Sequence, residues 1–178
     1  VEKVRQPMRV HAISDLHVDY PENLDWLKQL SDQDFTGDVL IVAGDVCEDL
    51  ALLMNTLELL VGKFRRVCFV PGNHELWVAN GEFSCSLEKF ETIRRLCRDT
   101  GVKVDSHNEG DLTLIPLFGW YDYSFAQPGR RLRRGWRDYR ACAWPDELSD
   151  SQAITRYFLK LNDPVLQGRD GTVISYSH

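Results

Sequence analysis

Phe69-Val-Pro-Gly-Asn-His-Glu75 joins a short apolar run, Val67 to Val70, to a turn carrying an amide, an imidazole and a carboxylate in succession. The run breaks at Pro71-Gly72. A hydrophobic strand ending in a polar, Gly-containing turn holds reactive groups rigidly at a sheet edge. Two earlier stretches share the form. Arg9-Val-His-Ala-Ile-Ser-Asp-Leu-His17 ends in a carboxylate and an imidazole, and Val39-Leu-Ile-Val-Ala-Gly-Asp45 ends in a carboxylate. Three strands are thus expected to deliver Asp15, His17, Asp45, Asn73 and His74 to one edge.

Outward from these strands the pattern alternates. Strands are expected over Met8–Ser14, Asp38–Ala43 and Arg66–Val70. Helices are expected over Glu22–Leu30, Glu48–Phe64 and Leu87–Arg98, each with an apolar stripe at helical spacing, such as Leu50, Leu53, Leu57, Leu60 and Phe64. Ser86 is placed to cap the third helix and Gly101 to end it. Strands alternating with helices imply βαβ units and a largely parallel sheet, whose right-handed crossovers bring the three strand ends to one edge. Beyond Gly101, Val102–Asp105 and Leu112–Leu117 read as two closely spaced strands with a shift to antiparallel pairing. Phe118 to about Pro145 is aromatic and irregular. Ser149-Asp-Ser-Gln152 is a capping-box pattern opening a helix through about Leu161, and Thr172–Tyr176 is a last strand before His178. The chain reads as one domain over 1–178, with about 119–165 as a cap-like insertion.

Composition narrows the class. A chain of 178 residues supports one domain with a substantial core, and 43% hydrophobic with 27% charged residues is ordinary for a globular protein. Five cysteines, without a C-x-x-C spacing, fit reduced thiols in a cytosol-like compartment rather than a disulfide framework. No apolar run approaches the ~20 residues of a membrane span. The first residues lack a signal-peptide core and also lack Met, which leaves room for an upstream targeting segment.

The strand-end groups have a shared chemistry. Hard oxygen ligands and imidazole nitrogens, with no sulfur in the set, suit Mn, Fe or Zn. A carboxylate such as Asp45 can bridge two cations, and Asn73 adds a neutral oxygen. Two cations roughly 3.5–4 Å apart would acidify a bridging water and hold the attacking and leaving oxygens of an in-line displacement, as phosphoester hydrolysis requires. Singly, each group has a plainer reading: Asp15 as a turn residue, His17 as a surface histidine, Gly44-Asp45 as a common turn. Five such groups at three successive strand ends are not a chance arrangement.

Asp15-Leu-His17, Gly44-Asp45 and Gly72-Asn-His-Glu75, in this order after strands, resemble the motifs of the calcineurin-like metallophosphoesterase superfamily. His178 after a strand matches the next motif, a lone histidine. The resemblance implies an αββα sandwich with two divalent metal ions. It places Asp15, His17 and Asp45 on the first metal, and Asp45, Asn73 and His178 on the second. His74 becomes the catalytic group, stabilising the transition state or protonating the leaving oxygen. The superfamily's last motif, G-H-x-H, lies downstream of the lone histidine and supplies one more ligand to each metal. The expectation is therefore a C-terminally incomplete sandwich. The protein-phosphatase branch reads G-D-x-x-D-R-G, whereas this chain has Gly44-Asp-Val-Cys-Glu-Asp-Leu50 without that arginine and following glycine. Glu48 stands where that branch has an aspartate orienting the motif histidine; it either orients His74 or simply starts a helix.

One segment opposes the overall charge. Gly129-Arg-Arg-Leu-Arg-Arg-Gly-Trp-Arg-Asp-Tyr-Arg140 carries a local charge of +5 in a chain of net −6, which leaves −11 for the remainder. Guanidinium groups bind phosphate bidentately and neighbouring rings stack on bases, so the segment is either a substrate or nucleic-acid contact or a solvated loop paired with the acidic remainder. The functional expectation is a metal-dependent phosphoesterase acting on a phosphate mono- or diester, including phosphorylated small molecules. The alternative is a non-catalytic scaffold of the same fold.

Overall fold

The computed structural model describes residues 7–167 and 171–178. Its first sheet holds β1 (Val10–Ile13), β2 (Val39–Ala43) and β3 (Arg66–Val70), all parallel, in the order β1-β2-β3. The second holds β4 (His107–Glu109), β5 (Leu112–Pro116) and β6 (Thr172–Tyr176) in the order β4-β5-β6, antiparallel then parallel. The helices are α1 (Pro21–Lys28), α2 (Leu50–Val61), α3 (Ser86–Asp99), α4 (Arg130–Gly135), α5 (Asp138–Ala141) and α6 (Ser151–Leu166).

The strands of the first sheet are apolar at nearly every position because both faces are covered. Side chains alternate between faces with a period of two. Leu40, Val42, Val67 and Phe69 meet Leu53, Leu57 and Leu60 of α2 together with Leu27 of α1. Val39, Ile41, Cys68 and Val70 instead face Leu114 of β5, Tyr176 of β6 and Ile154 and Phe158 of α6. The layers therefore run helices, sheet, sheet, helix. Phe69 is fully buried, so its truncation to Ala would cost about 3–5 kcal/mol.

Local details depart from the expectations above. Val102 and Val104 enter the core on the α2 side, and this stretch runs parallel beside β3, with the Phe69 N–H donating to the Lys103 carbonyl at 2.8 Å. The antiparallel partner of β5 is the later segment His107–Glu109. Ser86 does not cap α3. It is buried, donates to the Leu76 carbonyl at 2.6 Å and accepts from the Ala143 N–H at 3.1 Å, tying the 140s to the α3 start. The α6 cap is Asp150, whose carboxylate accepts from the Ala153 N–H at 2.7 Å, and the helix continues through Pro164 to Leu166. Within 119–165, α6 packs on the second sheet, whereas Arg137 and Asp138 reach residues at the end of β3 and beside α2. All five cysteines are free, and no helix among the described residues is long and apolar enough to cross a membrane.

Candidate metal centre

The loops that follow β1 and β2 are laced together by their backbones, and the loop after β3 joins them through side chains. The Asp15 N–H donates to the Gly44 carbonyl and the His17 N–H to the Asp45 carbonyl, both at 3.1 Å. Asp15 (φ 55°), His17 (φ 43°) and Asp45 (φ 53°) all lie in the left-handed region, which costs energy for residues with a Cβ. Such conformations persist where the surroundings enforce them. Asp15 and His17 are held by their bonds to the Gly44 and Asp45 carbonyls, whereas at Asp45 the enforcing group is Glu75. Its fully buried carboxylate accepts from the N–H groups of Asp45 (3.0 Å), Val46 (2.7 Å), Cys47 (3.1 Å) and Gly72 (2.7 Å). Burial and the charge of Asp45 push its carboxyl above the ordinary range, and the backbone donors oppose them. The turn after β2 is thus fastened to the turn after β3.

Asp45 sits at the middle of the resulting cluster. It is buried; its Oδ1 accepts the His74 N–H at 3.0 Å, and its Oδ2 lies 3.4 Å from His178 Nε2 and 3.6 Å from His74 Nε2. Burial alone would raise its carboxyl, but His178 and the His74 N–H hold it below the usual carboxylate value. Two donor groups share Asp45: His17, Asp45 and His74, and Asp15, Asp45 and His178, with donor atoms within 4.8 Å of one another in each. His178 donates Nδ1–H to the Ala43 carbonyl at 2.8 Å, which turns Nε2 toward Asp45 in the manner of an imidazole ligand. Its pKa is raised to about 9 through its bond to Asp45.

Donor chemistry and packing both fit divalent cations. A Cβ on Gly72 would come within 2.3 Å of Asp45 Oδ1, and one on Gly44 within 2.4 Å of His178 Cγ. Both glycines are needed for the close approach of backbone and donors. Cys47 stays out of the set: its buried thiol is pushed up to about 12 and its Sγ donates to the Asp49 carbonyl.

Asn73 reaches the cluster through a residue that the sequence does not flag. Its Nδ2 donates to Asp138 Oδ1 at 3.0 Å, leaving Oδ1 of Asn73 as the atom it can offer a cation. Asp138 is buried and also accepts from Trp77 Nε1 (2.6 Å), Tyr121 OH (2.5 Å) and Trp136 Nε1 (2.7 Å). Trp77 in turn lies on the His74 ring, 3.7 Å between centroids, and Arg137 lies over the Trp77 ring at 4.1 Å. Glu48 pairs with Arg137 at 2.6 Å rather than with His74. Lys89, buried and held low by burial, donates to the Glu48 and Trp77 carbonyls. A signal for Asp138 does exist in Trp136-Arg-Asp-Tyr139: an acidic residue among aromatic N–H and O–H donors, able to satisfy them when buried.

Beside Gly72, Asn73 and His178 a cleft of about 370 Å³ is walled by Phe118, Trp120 and Tyr121. Trp120 and Tyr121 also line a second cleft, of about 470 Å³, with Tyr123, Arg133, Tyr139 and Trp144. Both volumes fall in the range of small-molecule sites.

A family model of calcineurin-like phosphoesterases matches residues 8–174. The chain is 35% identical over 127 residues to the [acyl-carrier-protein] phosphodiesterase PptH of Mycobacterium tuberculosis (strain ATCC 25618 / H37Rv), covering 66% of this chain and 39% of that protein. The chain thus spans about two fifths of the length of the curated relative it matches. The crystal structure of the phosphopantetheinyl hydrolase PptH from Mycobacterium tuberculosis superposes with a TM-score of 0.79 at 26% identity, over 96% of this chain and 68% of that one. The chain belongs to the calcineurin-like phosphoesterase family.

Proposed function

We propose that the cluster around Asp45 is the centre of a metal-dependent phosphodiesterase. The observation that carries this reading is that two donor groups share one buried carboxylate, His74 standing in the first of them as a nitrogen that this reading assigns to proton transfer rather than to a cation. Asp15, His17, Asp45, Asn73 and His178 would hold two divalent cations, with Mn, Fe or Zn suited to the oxygen and imidazole donors. Bound there, the cations would supply Lewis-acid polarisation of the phosphoryl oxygens and an acidified water.

The chain's own residues do the remainder. Glu75 and the left-handed turns fix the donors before substrate arrives. Asp138 sets the Asn73 amide. His74 is the proton donor to the leaving oxygen. Burial lowers its pKa and so works against the protonated form, the Asp45 carboxylate opposes that, and among the described residues no hydrogen bond fixes its ring nitrogens as Ala43 fixes His178. Residues 1–178 act as one domain in which the segment after Phe118 covers the strand ends. The relative's name points to the substrate: a phosphodiester joining a phosphopantetheinyl group to a carrier protein. The aromatic cleft beside the centre, which shares Trp120 and Tyr121 with the second cleft, suits an organic substituent on phosphorus. Free, mostly buried cysteines favour a reducing compartment such as the cytoplasm.

The test is a pair of variants assayed on bis(p-nitrophenyl) phosphate with added Mn²⁺, alongside metal analysis. Asp45→Asn is expected to lose both cation binding and turnover, and His74→Ala to lose turnover with metal content kept. Wild-type turnover in Asp45→Asn would remove the two-cation reading, and equal loss of metal in both would make His74 a ligand.

A further inference from the structure

The feature not absorbed by the centre is the arginine-rich face of α4 and α5. Arg130, Arg131 and Arg134 are exposed and stand at i, i+1 and i+4 of one helix, so they share a face. Arg133 folds back instead, donating to the Pro128 carbonyl at 3.1 Å and lying over the Tyr139 ring. Among the described residues, Arg137 is the member of this set that has a carboxylate partner, Glu48. Arg130, Arg131, Arg134 and Arg140 face water without one, although the rest of the chain is strongly acidic. Internal pairing therefore does not explain the segment.

Its position does. Arg137 lies over Trp77, which lies on His74, and Asp138 holds Asn73. Arg137 and Asp138 therefore form part of the rim of the centre, and the face on α4 leads into that rim along the chain. In a diester between a carrier protein and its prosthetic group, one phosphate oxygen belongs to a side chain of the carrier. When that phosphorus enters the centre, the carrier's surface must lie against the rim. We infer that the face bearing Arg130, Arg131 and Arg134 is the docking surface for an acidic patch of the carrier protein, an inference that rests on the phosphodiesterase reading above for its substrate.

A nucleic acid fits the same arginines less well. The aromatic edges nearest the centre, Tyr121 OH and Trp136 Nε1, are bonded to Asp138, and Tyr139 is bonded to Tyr123. Those polar edges are taken up within the protein, which leaves only the half-exposed faces of Trp136 and Tyr139 for a base. A long polyanion would also run over the acidic remainder, whereas a small acidic protein meets only the local positive face.

The experiment uses the metal-loaded protein and the triple variant R130E/R131E/R134E. The probes are an acidic acyl carrier protein with and without its phosphopantetheinyl group, a single-stranded oligonucleotide, and bis(p-nitrophenyl) phosphate. Wild type is expected to bind both carrier forms with an affinity that falls as salt rises. The variant should bind both at least about tenfold more weakly while cleaving the small diester at the wild-type rate. Unchanged carrier binding by the variant, no carrier binding by wild type, or tighter binding of the oligonucleotide would each overturn the surface. If wild type and variant cleave the carrier diester with equal kcat/KM, the surface falls and the phosphodiesterase reading stands. If arginine-dependent carrier binding persists while neither diester is cleaved, the phosphodiesterase reading falls and the surface stands.

Discussion

Replacing Glu75 with Gln keeps the shape of the side chain and removes what the fold uses it for. The carboxylate accepts four backbone N–H groups, two on each oxygen, at 2.7 to 3.1 Å. Glutamine retains one oxygen, hence two acceptances, and presents an NH2 to the other two donors. Two bonds to a charged acceptor are worth about 3–6 kcal/mol together, and their donors are left buried without partners. Part of this is offset, because glutamine spares the burial of a charge, an expense visible in the upward push on the Glu75 carboxyl. The net loss is expected to be about 3 kcal/mol, a large share of the 5–15 kcal/mol typical of a domain. Urea unfolding reads it as a lower midpoint at constant slope, and thermal melting as a drop of roughly 6–12 °C for a chain of this size. Since the donors include the backbone of Asp45, divalent affinity should weaken alongside. A loss below about 1 kcal/mol at unchanged slope would show that Glu75 does not hold the turns together.

Three further outcomes follow from the same geometry. Asp138→Asn should turn one of its oxygens into a donor facing donors, release the Asn73 amide and lower turnover roughly 10–100-fold, as changes behind a ligand usually do; a shift in Trp fluorescence from Trp77 and Trp136 should accompany it, and a silent spectrum with full activity would refute the positioning role. Gly72→Ala drives a Cβ to 2.3 Å from Asp45 Oδ1 and 2.7 Å from His178 Cδ2, so calorimetric titration should show weakened divalent binding; wild-type affinity would mean the site can shift to take the methyl group. Away from the centre, the Arg9 guanidinium holds the Asp38 carboxyl down at about 2. A depressed carboxyl adds stability that is complete above its unfolded value near 3.8 and disappears as pH falls toward 2. Asp38→Asn should therefore flatten the acid limb of the stability curve in that window, and an unchanged limb would assign it to other carboxylates.

The sandwich was legible because its signals are local. An apolar run with β-branched residues, ended by Gly or Pro-Gly and then by polar groups, identifies each strand of the first sheet and its C-terminal end. Parallel pairing brings those ends together, and Asp15, His17, Asp45 and His74 lie close to one another and to His178 in the structure. The two faces of β2 and β3, both apolar, are told apart only by their partners in the structure. The second sheet was less legible. Val102–Val104 has the composition of a strand, but composition does not say which neighbour it joins, and β3 took it before β5 could.

What stayed hidden is what depends on distant pairing. Glu75 is visible in the motif, yet its role requires knowing that Asp45 is left-handed and that three N–H groups after β2 lack acceptors. Asp138 is harder still. It is 65 residues from Asn73 and is surrounded by arginines, so in the sequence it is only one negative charge in a segment of +5. None of its four donors is an arginine; they are an amide, two indoles and a phenol, while Arg130, Arg131, Arg134 and Arg140 face water. A single carboxylate thus divides the segment into an inward side, which sets Asn73 and Trp77, and an outward side with unpaired positive charge. Losing Asp138 should disturb the centre and leave the charge of the outer face as it is, whereas reversing Arg130, Arg131 and Arg134 should do the opposite. The two substitutions therefore separate the chemistry at phosphorus from the recognition of whatever carries it.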